Sequence, residues 1–122
     1  MSDEFLTIAR QEIQADLDSL ERILAVCHSD SQLYERSNDI ESHLHKIKGL
    51  APMMNQDKVG EIAQVSDMVL KHVISNGVLD GSCKIILEAI QKMNKTFSGH
   101  DDLDMKNFTN KIRDAFPQVF GL

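Results

Sequence analysis

The sequence predicts an all-α protein: an antiparallel up-and-down four-helix bundle with an additional short C-terminal helix, in one domain spanning residues 1–122. Three observations lead there. Apolar and small residues recur at spacings of three and four over most of the chain, the period of a helix with one buried face. The apolar supply suits helices, with no tryptophan and one tyrosine against six methionines and five phenylalanines in a chain that is 42% hydrophobic. The stretches between periodic segments are short, with no internal repeat, low-complexity tract or domain linker, and 122 residues support a single core. Each amphipathic helix needs an apolar partner face, and four such faces close around one core.

The first helix is expected from about Asp3 to Val26, with Phe5, Ile8, Ala9, Ile13, Leu17, Leu20 and Leu24 on one face. Cys27-His28-Ser29-Asp30 breaks the pattern, and Ser29, Asp30 or Ser31 can cap the next helix. That helix is expected from about Ser31 to Met54, because Leu33, Ser37, Ile40, Leu44, Ile47, Ala51 and Met54 follow at spacings of 4, 3, 4, 3, 4 and 3. Pro52 falls in its last turn, where a missing backbone donor should bend or end it. Asn55-Gln56-Asp57 makes the turn. Val59, Ile62, Ser66, Val69 and Val73 mark a third helix to about Ser75, stopped by Asn76-Gly77. Asp80 is placed to cap the fourth, in which Ile86, Ile90, Met93 and Phe97 repeat at spacings of 4, 3 and 4. The bundle so defined covers about residues 3–98. Beyond Gly99-His100-Asp101-Asp102 a shorter helix spans about residues 102–116, with Phe108, Ile112 and Ala115 inward and Pro117 closing it.

Composition narrows the function. The formal net charge is −6 and the basic residues are scattered, which argues against nucleic acid or an anionic membrane surface as partner. Cys27 and Cys83 have neither zinc-site spacing nor the density of a disulfide framework, and read as reduced, buried or partly buried thiols of a cytoplasmic protein. No apolar run approaches the ~20 residues of a membrane span. The acidic start Met1-Ser2-Asp3-Glu4 does not suit a signal peptide. His28, His72 and His100 form no i, i+4 pair, so no metal or haem site is expected. Met53, Met54, Met68 and Met93 read as core filler.

One segment stands apart. In His45-Lys46-Ile47-Lys48-Gly49 an interior glycine costs a helix about 1 kcal/mol relative to alanine, so something should need to come close to the backbone there. His45 is one residue past Leu44, a rotation of roughly 100°, which turns its imidazole away from the core. Lys48 and Gly49 lie on the same side, three and four residues on. A neutral imidazole is a good nucleophile, and at its ordinary pKa of about 6.5 it is largely neutral near pH 7. Lys46 faces elsewhere and reads as general surface charge. His43, two residues from His45, lies on nearly the opposite side of the helix.

His45-Lys46-Ile47-Lys48-Gly49-Leu50-Ala51 resembles the H-x-x-K-G-x-[SA] signature of histidine phosphotransfer domains. With Ala51 and Met53-Met54, it is most similar to the amino-terminal domain of that type in chemotaxis-type histidine kinases. The opening Phe5-Leu6, Glu61-Ile62-Ala63 and the Gly77 turn extend the resemblance over roughly residues 3–98. It implies that His45 accepts a phosphoryl group and exchanges it with a receiver-domain aspartate, with Lys48 stabilising phosphoryl charge and Gly49 giving access. In such relatives a glutamate on the following helix orients the histidine. That position corresponds to Asp67, one methylene shorter, and a nearby polar position corresponds to Gln64. The implied partners are a receiver domain, a histidine kinase, or both. Mg²⁺ is expected in the partner, and no metal or cofactor is expected in this chain, itself a monomer. Without a glycine-rich nucleotide motif the chain is expected to be a phosphocarrier, not an ATP-dependent kinase. The alternatives are a helical adaptor or dimerisation bundle, and a portion of a larger kinase.

Overall fold

The computed structural model describes residues 2–100 and 104–121. The first helix, α1 (Asp3–Ala25), starts where Ser2 Oγ accepts the Phe5 N–H, with Asp3 and Glu4 in the dipole-favoured first turn. Its apolar face is covered only from Ala9 onward, so Phe5 and Ile8, expected inward, are exposed.

The expected second helix is three pieces: α2 (Asp30–Glu35), α3 (Ser37–Leu50) and a 3-10 turn at Pro52–Met54. Ser29 is the residue that caps α2. The break at Arg36 has a local cause: the buried Ser37 hydroxyl donates to the Tyr34 carbonyl at 2.7 Å and competes with the backbone ladder. The stripe nevertheless holds its register, with Leu33, Ser37, Ile40, Leu44, Ile47 and Ala51 all buried. Pro52 ends α3, and Asn55, at φ 59°, reverses the chain into α4 (Asp57–Asn76). Gly60 lets the 3-10 turn lie against α4, since a Cβ there would come within 3.1 Å of Pro52 Cγ.

After Gly77, α5 (Ser82–Phe97) begins behind Gly81. Asp80 is exposed and is not its cap. Asp30 of α2 takes that role across the fold, accepting the Gly81 and Cys83 N–H groups at 2.9 and 2.8 Å. At the same junction Cys83 Sγ lies 3.5 Å from the Cys27 carbonyl; both thiols are free, and burial pushes both up. α1, α3, α4 and α5 pack in a ring, each against its chain neighbours, which with short connections makes the bundle antiparallel.

α6 (Met105–Ala115) packs on α4 through Phe108 and Ile112; the expected start at Asp102 lies outside the described residues. Ala115 is exposed, and Phe116, 1% exposed, takes the inward position in its place. Pro117 opens a further short turn, α7 (Pro117–Phe120). Of the methionines expected in the core, Met93 is buried and Met54 packs against it, whereas Met53 and Met68 are exposed. No described helix is long and apolar enough to cross a membrane.

Candidate functional site

Buried Leu44 and Ile47 fix the rotation of α3, and His45, next to Leu44, faces out beside α4. His45 has a 60% exposed side chain. Across from it on α4 is Asp67, 1% exposed, with Oδ2 3.8 Å from His45 Nδ1. Glu41, one turn before His45, brings Oε2 to 3.9 Å from the same nitrogen. Neither distance is a hydrogen bond.

Asp67 Oδ2 is engaged by two ammonium groups, Lys48 Nζ at 2.8 Å and Lys71 Nζ at 3.3 Å. Burial alone would raise the Asp67 carboxyl, but the Lys48 hydrogen bond, with Glu41 and the Lys71 ammonium beside it, outweighs burial and holds the group below the usual aspartate range. Glu41 moves the other way, raised first by burial and then by Asp67 beside it. The hydrogen bond to Asp67 raises Lys48 despite its partial burial. Glu41, His45 and Asp67 each bring one donor atom within 4.8 Å of the others, a spacing a cation could bridge. The two ammonium groups on Asp67 oppose a further positive charge there.

A family model described as Hpt domain matches residues 4–98. The chain belongs to the Hpt family. No curated protein and no solved structure matches it. Hpt domains are phosphocarriers that pass a phosphoryl group through a histidine in phosphorelays, meeting receiver domains and histidine kinases.

In this Hpt domain the structure brings together His45, Lys48 and Asp67 and leaves Gln64 aside. Gln64 is exposed, in a shallow depression lined by Lys48, Pro52, Asp57, Gly60 and Glu61, and among the described residues it makes no hydrogen bond to the ring. Asp67 faces the imidazole, but with its Oδ2 engaged by the lysines this shorter carboxylate makes no direct hydrogen bond to Nδ1. Gly49 is exposed, and a Cβ added there would meet nothing within 4 Å. The fold itself does not require a glycine at that position.

Two participants were not singled out from sequence, Glu41 and Lys71. Each carried a spacing signal: Glu41 is four residues before His45, and Lys71 four after Asp67. Lys46 also departs from expectation, since its Nζ pairs with Asp16 Oδ1 at 2.8 Å, and Asp16 is only 3% exposed. His43 Nδ1 shares that oxygen at 2.8 Å. Lys46 and His43 therefore tie α3 to α1, on the side away from His45.

Proposed function

We propose that this Hpt domain is phosphorylated on His45 and exchanges the group with a receiver-domain aspartate. The observation that supports it most is an exposed imidazole whose Nδ1 faces a buried carboxylate while two lysines stand beside that carboxylate. With Nδ1–H turned toward Asp67, Nε2 carries the free lone pair on the open side. Phosphoryl transfer is catalysed mainly by positioning and charge, and Lys48, three residues on along the same side of the helix as His45, is the cation we assign to the incoming oxygens. The receiver would supply its aspartate and the Mg²⁺, with none resident in this chain. The monomeric, cytoplasmic carrier is the reading we adopt. The run Ile47-Lys48-Gly49 with Ala51 and Met53-Met54 makes the chemotaxis-kinase type the nearer template for it.

Docking would use the face around Gly49. The start of α1 lies beside the 3-10 turn that follows α3, and Phe5 and Ile8 on the one and Met53 on the other are exposed apolar side chains. A transient relay contact of this kind should be small.

The test is incubation with a ³²P-labelled receiver or kinase and Mg²⁺. Acid-labile, alkali-stable label on the protein is expected. Acid-stable label, or none with any donor, favours the adaptor reading. Gly49 gives a second check. Gly49→Ala should stabilise the helix by about 0.5–1 kcal/mol, because its Cβ meets nothing, yet slow transfer from a receiver. An unchanged transfer rate in the stabilised variant would show that Gly49 does not serve partner access.

A further inference from the structure

We propose that Glu41 is a positioning residue for His45, holding a proton that it shares with Asp67 so that the two carboxyls present a single negative charge to Nδ1. This rests on the reading of His45 as the phosphoacceptor.

Glu41 Oε2 and Asp67 Oδ1 are both buried and both without a hydrogen-bond partner among the described residues. One Glu41 oxygen lies within 4.8 Å of an Asp67 oxygen, where two ionised carboxylates repel, whereas a proton held by one of them lets it donate to the other. The lysines decide which carboxyl carries it. Lys48 and Lys71 both sit on Asp67 and favour its charged form, so the proton belongs to Glu41, the direction in which both groups are shifted.

The charged groups facing Glu41 are His45 and Lys48 on its own helix and Asp67 and Lys71 on α4. With Glu41 protonated and the imidazole neutral, this set carries one net positive charge, suited to an incoming phosphoryl group. An ionised Glu41 would cancel that charge. It would also place a second carboxylate against Nδ1 and favour a ring protonated on both nitrogens, with no lone pair left on Nε2. In the transfer the Nε2 lone pair forms the N–P bond as the P–O bond to the receiver's aspartate breaks, its electron pair leaving with the carboxylate. Nδ1 keeps its proton throughout, and the positive charge developing on the ring faces Asp67. The 3.8 and 3.9 Å separations are those of a resting site, where such contacts are often long and tighten only when the partner docks.

Glu41→Gln keeps a donor toward Asp67 but cannot ionise; Glu41→Leu keeps bulk and loses the donor. Initial rates of label uptake from a phosphorylated receiver should be measured from about pH 5 to about pH 9 for both and for the parent. Glu41→Gln should match the parent at the acid end and overtake it as pH rises. Glu41→Leu should be slower by about ten- to a hundredfold with the same final extent of labelling. A Gln-to-parent ratio that stays constant across the range would overturn the proposal, and that comparison stands even if Glu41→Leu folds poorly. Failure of the underlying reading looks different, since label would then remain after His45 itself is replaced.

Discussion

A His45→Gln protein should fold as the parent does and take up no phosphoryl group from a receiver or a kinase. The side chain is 60% exposed and its nearest carboxylate oxygens are 3.8 and 3.9 Å away, so its removal breaks no hydrogen bond of the fold. A change in stability within about 0.5 kcal/mol is expected, read as an unchanged melting transition. Loss of label should be complete, because no other imidazole offers the same combination. His43 is the nearest rival, its Nδ1 held at 2.8 Å by buried Asp16, but three-quarters of its side chain is covered and it faces α1. Peptide mapping would decide the matter: label recovered on the His43 peptide of the variant would transfer the acceptor role to that residue.

The helical period carried most of the architecture, and it did so because burial is a property of spacing. The stripe from Leu33 to Ala51 is buried throughout, as are Val59, Ile62, Ser66, Val69 and Val73 on α4 and Ile86, Ile90, Met93 and Phe97 on α5. Spacing is silent about competition within one turn, so the Ser37 hydroxyl that splits the second helix at Arg36 left no trace in the pattern. It is equally silent about contacts remote in sequence. Asp30 caps α5 from 51 residues away, and the local candidate Asp80 points to solvent.

The site divides along the same line. His45, Lys48 and Gly49 share a helix face and were legible in one motif. Asp67 was reachable only through the resemblance, because the rotation of α4 against α3 is set by packing. Glu41 and Lys71 could have been paired with their neighbours by the i, i+4 rule, but nothing in the sequence placed Glu41, His45, Lys48 and Lys71 around one buried carboxylate. Asp16 gave its own signal, an acid at spacings of 3 and 1 within the run Ile13, Asp16, Leu17, Leu20. An acid inside an apolar face needs a partner, and Lys46 and His43 supply it.

Replacing Lys48 and Lys71 together by methionine should destabilise the bundle by about 3 kcal/mol at neutral pH, the low end of what stranding a buried charge costs. The sequence places Lys48 on the outward side of its helix, the side of His45. Its ammonium is instead 2.8 Å from a carboxylate that is 1% exposed, and Lys71 is the second support of the same oxygen. The single change Lys48→Met leaves Lys71 in place and should cost roughly 1 kcal/mol. The double change leaves Asp67 with Glu41 alone. The figure is held low because the two lysine side chains are 31% and 53% exposed, so water already screens them, and because the stranded carboxyl can take up a proton. That escape fixes the pH dependence. In the parent the Asp67 carboxyl is held below its ordinary value, so its contribution is fully present above that value and is lost as pH falls through the lowered one. In the double variant burial acts unopposed by the lysines and raises the group, so stability is lost as pH rises instead. The gap between the two proteins should therefore be widest at neutral pH and close toward acid. Urea denaturation of both at neutral pH and near pH 3 measures it. A gap of the same size at both values would mean that the lysines support the fold through their aliphatic stems, not through the charge on Asp67.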